Sequence, residues 1–231
     1  MSDNMLRRLK KLGVIFDLDG TLVNSMPMVV AAFTYAVKHF GMSPSEEEVI
    51  ARLGGPPDAC LRNLLGQDRH LPEAMDRLVD YHQRNRDSIQ PFEGAESLLE
   101  QLLRSRTKVA LWTGRERETT SEILARNGWW KYFQLVVCGD DFETHKPDPE
   151  GLNHILDELS LSSSDVIFLG DADVDVLAGY AVQVPTLLIR NGRRVSDHIK
   201  RISREWVETP QQAYDIVSAK VITEASPFRV E

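Results

Sequence analysis

Five short apolar runs punctuate the chain: "LGVIFD" (12–17), "KVALWTG" (108–114), "QLVVCGD" (134–140), "DVIFLGDAD" (165–173) and "PTLLIRNG" (185–192). Each stops at a polar or glycine-containing turn. They are rich in β-branched residues and apolar on successive positions, which is the pattern of a strand buried on both faces. Such strands need helices above and below, and helical patterns lie between them. "EGAESLLEQLLRS" (93–105) sets Leu98, Leu99, Leu102 and Leu103 on one stripe. "RETTSEILARNG" ends at Asn127-Gly128, a helix stop. "DPEGLNHILDELS" opens with Asp148 as a cap and Pro149 in the first turn. "EWVETPQQAYDIVSAK" closes the series with a short strand and a helix. The alternation predicts an α/β fold with a doubly wound parallel sheet.

Residues 24–90 break that rhythm. "MPMVVAAFTYAVKHFG", "SPSEEEVIARLG", "DACLRNLLG" and "PEAMDRLVDYHQRNRDSI" are all helical patterns separated by Gly and Pro, with no strand among them. A long helical insert after a first strand reads as a small separate unit, a helical cap, with "NSM" and "QPFEG" as its two hinges. The expected organisation is a core of 1–23 with 91–231 and a cap of 24–90. The closing "EASPFRVE" reads as a loose tail.

Composition narrows the function classes. The 27 basic against 35 acidic residues give a formal charge of −8, which argues against a partner held through a basic surface such as nucleic acid. Two cysteines, Cys60 and Cys138, make neither a metal spacing nor a disulfide framework, as expected in a reducing compartment. The basic opening "MLRRLKKLGVIF" stops being apolar at Asp17, short of the about 7–15 residues of a signal core. No run reaches the about 18 apolar residues of a membrane helix. The expectation is a cytoplasmic protein, a monomer or homodimer, that engages neither membrane nor nucleic acid.

In an open parallel sheet, ligands bind beyond the carboxyl ends of the strands. The first run ends in Asp17 and Asp19, the second in Thr113-Gly114 and the fourth in Asp171, while Lys146 arrives from "HKPDPE". Carboxylates converging there repel one another, and a divalent cation is the natural compensation; oxygen-only ligands point to Mg²⁺. A hydroxyl, a backbone amide and a lysine beside that cation make a site for a phosphoryl group. Taken singly, each element is weak. Arg115 is a candidate for binding substrate but reads rather as a solvated arginine at a helix entrance, and His145 as structural or exposed.

Taken together, "FDLDGT", "WTG", "HKPDP" and "GDADVD" resemble the four ordered motifs of the haloacid dehalogenase superfamily, over nearly the whole chain. The helical insert resembles the cap of the subgroup containing phosphoglycolate phosphatases and β-phosphoglucomutases. The resemblance implies a Rossmann-like core and an Mg²⁺-dependent phosphomonoester hydrolase acting on a small phosphorylated metabolite. By position, Asp17 is then the nucleophile that becomes an aspartyl phosphate, and Asp19 the general acid and later the base. Asp17 and Asp171 ligate Mg²⁺ by side chain, and Asp19 through its backbone carbonyl. Thr113 and the Gly114 amide hold phosphoryl oxygens, Lys146 offsets their charge, and Asp175 orients the metal shell.

Residues weigh the alternatives. Dehalogenases lack the second aspartate of the first motif, which here is Asp19. The mutases carry a lysine before a cap glycine and an arginine three residues after it. If Gly54 is that glycine, "RLGGPPD" offers Leu53 and Pro57, with Arg52 nearby as the substrate-binding candidate. Phosphonate hydrolysis needs a cap lysine, and Lys38 is the only lysine in 24–90. Phosphorylated receiver domains use similar groups in another order on about half this length. A phosphatase is favoured. A sugar phosphomutase and a catalytically silent phosphate-binding regulator stay open.

Overall fold

A computed structural model of the protein describes residues 13–52 and 57–225. The basic N-terminal stretch, Leu53 and Gly54, and residues 226–231 of the tail fall outside them. In chain order the elements are β1 (Gly13–Phe16), β2 (Val23–Asn24), α1 (Met26–Lys38), α2 (Glu46–Ile50), α3 (Pro57–Leu65), α4 (Leu71–Asn85) and β3 (Gln90–Pro91). They continue with α5 (Ala95–Arg104), β4 (Lys108–Trp112), α6 (Arg117–Arg126), β5 (Leu135–Val137), α7 (Glu150–Glu158), β6 (Val166–Gly170) and α8 (Asp173–Ala181). The last are β7 (Thr186–Ile189), α9 (Asp197–Ile202), β8 (Glu205–Val207) and α10 (Pro210–Ala225).

The chain forms two compact units: Met1–Val23 with Pro91–Glu231, and Asn24–Gln90. The larger is built on a six-stranded sheet in the order β5-β4-β1-β6-β7-β8, with every adjacent pair parallel. All six apolar or short strands read from the sequence are present. β1 sits near the middle, between β4 and β6. Connections wind outward through β4 to β5, then return to the other side of β1 for β6, β7 and β8. Loops after β4 and β6 therefore diverge from the end of β1, the switch point where open sheets of this kind bind ligands.

Alternate strand residues load opposite faces. Ile15, Ala110, Trp112, Val137 and Phe168 pack with Leu152, Ile155 and Leu156 of α7 and Ala178 of α8. The intervening Val14, Phe16, Val109, Leu111 and Leu169 are buried as well, so both faces are covered, as the unbroken apolar runs require. Among the helices, α7 begins one residue later than its cap signal suggests: Pro149 occupies the cap position and Glu150 is the first helical residue. Asp148 still caps, its Oδ1 accepting from the Glu150 amide at 3.0 Å. α10 carries the helix to Ala225, two residues into the segment read as tail.

Between β2 and β3, which pair with each other at its two ends, the described elements of the smaller unit are helical, with α1 packed on α4 and α3 on α4. α1 buries Met28, Ala32, Phe33, Ala36 and Val37, the i, i+4, i+5 spacing of one helix face. α2 is held at its start by a capping box, in which the Ser45 hydroxyl accepts from the Glu48 amide and the Glu48 carboxylate accepts from the Ser45 amide. No described helix is long and apolar enough to cross a membrane. Cys60 and Cys138 are both buried free thiols.

One position of the α5 stripe differs from expectation. Leu98, Leu99 and Leu102 are buried, whereas Leu103 is 44% exposed. Leu103 continues the stripe only through Leu99, one turn earlier, and sits at its solvent-facing edge. Replacing Leu99 by Ala should therefore cost about 2–5 kcal/mol. Leu103→Ala should stay within about 0.5 kcal/mol of the parent. Urea unfolding of the two variants checks this, and comparable losses would put Leu103 back in the core.

Candidate functional site

The carboxyl end of the sheet gathers the groups with chemistry. Asp17 follows β1 directly, and its amide still donates to the Leu169 carbonyl at 2.8 Å. Thr113 follows β4 in the same way, its amide donating to Val137 at 3.0 Å. Each side chain is thus the first beyond its strand while its backbone remains tied to the neighbouring strand. Asp171 follows β6, and Asp175 lies in the first turn of α8. One oxygen from each of Asp17, Asp171 and Asp175 comes within 4.8 Å of the others.

Lys146 stands at the centre of this cluster. Its ammonium donates to Asp17 Oδ1 at 2.8 Å, to Asp175 Oδ1 at 2.8 Å and to the Trp112 carbonyl at 2.7 Å. Three donors meet three acceptors, so nothing on the nitrogen is wasted. The Trp112 and Phe168 rings lie 4.8 and 5.2 Å from it, which adds cation–π attraction. The side chain is only 7% exposed.

The electrostatics follow from three buried or half-buried carboxylates of which two share one ammonium. Burial raises the Asp17 carboxyl well above the usual carboxylate range; Lys146 works against that rise, and Asp175 and Asp171 add to it. Asp171 is pushed up to about 7, first by burial and then by Asp175, with Arg193 opposing. Burial disfavours the Lys146 charge, but Asp17 and Asp175 outweigh it and hold its pKa above the normal lysine value. Within the cluster two negative charges remain uncompensated. An oxygen-only donor set with that surplus fits a hard divalent cation. Asp17 and Asp171 offer the donors. Both Asp175 oxygens already have partners, Lys146 and the Ala172 amide at 2.9 Å.

Two glycines make room for the carboxylates. A Cβ on Gly20 would overlap the Asp171 carboxylate, and Gly20 also has φ +72°, a conformation other residues rarely adopt. A Cβ on Gly170 would overlap the Asp175 carboxylate. Both bulkless positions are therefore conditions for bringing the three acids together.

Thr113 is 2% exposed, and its Oγ1 accepts from the Arg115 amide at 3.1 Å. That assignment leaves the hydroxyl proton to be donated elsewhere. Gly114 beside it is exposed. His145 is exposed as well, contributing its carbonyl to the turn that accepts from the Asp148 amide at 2.9 Å. Arg52 belongs to the unit Asn24–Gln90, not to this cluster; it is exposed, and its guanidinium donates to the Glu48 carbonyl at 2.7 Å.

Arg115 is not the solvated side chain that its place before a helix suggests. It is 15% exposed and pairs with Asp19 in a fork, Nε to Oδ2 at 2.9 Å and Nη2 to Oδ1 at 2.6 Å. Two further groups come from the loop after β7. Asn191 donates to the Gly20 carbonyl at 2.8 Å, and the Arg193 guanidinium donates to the Asp171 carbonyl. "IRNGRR" follows a strand end like the other site loops, and that rule was the available signal for both residues. For Arg115 no local signal existed, since its partner lies 96 positions away.

Removing the central cation should unbalance the cluster. Lys146→Met leaves Asp17 and Asp175 buried without their ammonium, and we expect a stability loss of about 3–5 kcal/mol. Urea midpoints at neutral pH measure it, and an unchanged midpoint would mean the acids are already neutral.

Comparisons with known proteins bear on the family and the fold. A sequence profile described as haloacid dehalogenase-like hydrolase matches residues 14–189. The pyrophosphatase PpaX of Halalkalibacterium halodurans is 26% identical over 214 residues, covering 90% of this chain and 97% of that protein. A plasmid-encoded phosphoglycolate phosphatase of Cupriavidus necator is 30% identical over 186 residues, covering 78% and 80%. In three dimensions, the crystal structure of a predicted phosphoglycolate phosphatase from Haemophilus somnus superposes with a TM-score of 0.79 at 19% identity, covering 90% of this chain and 98% of that one.

Proposed function

The chain belongs to the haloacid dehalogenase-like hydrolases, and from that membership we propose an Mg²⁺-dependent phosphatase that hydrolyses a small phosphorylated metabolite through phosphorylation of Asp17. The observation that carries this reading is the Asp17 carboxylate at the end of the central strand, oriented by the Lys146 ammonium at 2.8 Å beside Asp171 and Asp175. Relatives named phosphoglycolate phosphatase and pyrophosphatase support the substrate class.

Asp17 attacks phosphorus, and its new O–P bond forms as the bond to the leaving oxygen breaks. Asp19 gives its proton to that oxygen. It then takes a proton from water, which attacks the phosphorylated Asp17 and releases inorganic phosphate with the carboxylate restored. Thr113 and the Gly114 amide hold phosphoryl oxygens, and Lys146 neutralises part of their charge. Asp17, Asp171 and the Asp19 carbonyl would hold Mg²⁺, with Asp175 steadying them; when bound, that ion supplies charge stabilisation to the phosphoryl oxygens. The helical unit 24–90 serves as the cap that selects the ester, with Arg52 as its substrate-binding candidate.

A second reading concerns only the bond cleaved. The relative named pyrophosphatase, aligned over 90% of this chain, favours a phosphoanhydride, for which the same steps apply with phosphate as the leaving group.

Excess EDTA should abolish turnover and Mg²⁺ restore it; full activity in EDTA would sink the metal assignment. A positioned acid–base group is worth about 10²–10⁴-fold in rate. With p-nitrophenyl phosphate, whose leaving group needs no proton, Asp19→Asn should release one burst of nitrophenolate and stall as phosphorylated Asp17. Asp17→Asn should give neither burst nor turnover. Rapid quench with mass detection reads both, and a wild-type steady rate for Asp19→Asn would refute its role. Arg52→Ala should reorder the ranking of substrates; an equal fall on every ester would place Arg52 outside selection.

A further inference from the structure

The fork between Arg115 and Asp19 sets a charge problem for the hydrolytic cycle proposed above. Both Asp19 oxygens accept from the guanidinium, at 2.6 and 2.9 Å. A carboxylate held by both oxygens carries no proton, so Asp19 must leave the fork and take one from solvent before it can serve the leaving oxygen, and Arg115 then surrenders at least one of these contacts. It cannot discharge the cost by losing its proton. Its side chain is 15% exposed, so water replaces the lost partner poorly. Stripping a buried charge of its partner costs a factor of about 10²–10³ in rate. That is the same order as the about 10²–10⁴-fold that an acid–base group returns. Unless another anion takes over, the gain from Asp19 is largely cancelled.

The neighbouring carboxylates are already committed. Asp17 and Asp175 pair with Lys146, and Asp171 faces Arg193. The Asp19 side chain is 33% exposed, so the fork borders open space from which a ligand can arrive. Arg115 also adjoins Thr113 and Gly114, the groups assigned to the phosphoryl oxygens.

We infer that Arg115 is a second anion-binding group of the site, holding Asp19 in the free enzyme and an anionic oxygen of the leaving group during turnover. This rests on the phosphatase reading and narrows its substrate class. The favoured substrates carry a carboxylate or a phosphate close to the scissile oxygen, because a planar guanidinium grips either in the same two-point fashion. Esters with neutral leaving groups cannot complete the exchange.

The test compares wild type, Arg115→Met and Arg115→Lys on 2-phosphoglycolate, pyrophosphate, phenyl phosphate and ethyl phosphate. The first two supply a carboxylate and a phosphate respectively, and the last two supply neither. Arg115→Met should raise KM for 2-phosphoglycolate, pyrophosphate or both by about 10-fold or more beyond its effect on the neutral esters. Arg115→Lys should recover part of that difference, which a purely structural role would not produce. Whichever anionic arm responds identifies the leaving group. A uniform fall in kcat on all four substrates would overturn the inference and reduce Arg115 to a support for Asp19. Calorimetry with Asp17→Asn, alone and combined with Arg115→Met, reads the contact without turnover: equal affinity for the anionic ligands in both proteins overturns the inference, and weaker affinity in the double variant supports it. Failure of the phosphatase reading shows separately, as wild type hydrolysing none of the four.

Discussion

A single buried ammonium holds the carboxyl end of the sheet together. Lys146 reaches Asp17 after β1, the Trp112 carbonyl at the end of β4 and Asp175 in α8, groups that lie 129, 34 and 29 positions from it in sequence. Without it, the ends of neighbouring strands would present carboxylates to one another in a region that excludes water, where charge repulsion is least screened. The lysine stem can cross this region because Trp112 and Phe168 line it, and those two rings are themselves part of the apolar layer under α7 and α8. The packing of that layer and the poise of the acids are therefore one problem.

The same cluster is deliberately short of positive charge. Burial first, and the neighbouring carboxylates after it, leave Asp17 and Asp171 with carboxyl groups that resist ionising, Asp171 at about 7. A fully neutralised site would be more stable on its own, but it would have no need of a cation. The surplus negative charge lowers stability and raises affinity for a divalent ion in one stroke. The bulkless positions at Gly20 and Gly170 permit the crowding through the space that a side chain would fill.

Much of this was legible in the sequence because it is written locally. Unbroken β-branched runs gave both the strands and their burial on two faces, and a parallel sheet then fixes which end carries the ligand groups. Asp17, Thr113 and Asp171 followed from that rule alone. The exposure of Leu103 was not legible, because a stripe of leucines does not say where its solvent-facing edge lies. Nor was the partner of Arg115, since a guanidinium before a helix looks the same whether it meets solvent or a carboxylate 96 positions away. Asn191 and Arg193 fall between: the strand-end rule reaches their loop, but nothing local distinguishes them from ordinary turn residues.

These limits share a cause. Backbone placement is set by short-range patterning, whereas charge pairing is set by which side chains the completed topology brings face to face. Lys146 and Arg115 illustrate the two outcomes. Lys146 sits in a motif whose order along the chain announces its destination. Arg115 sits one residue past Gly114 with no such context, yet it too forms a largely buried ion pair, more open than that of Lys146. The cations differ in what they can give up. The ammonium of Lys146 is enclosed by fixed acceptors from three elements and has no reason to exchange them. The Arg115 fork binds one carboxylate, on a side chain that is 33% exposed, so one ion pair at this end of the sheet is walled in by packing and the other opens to solvent.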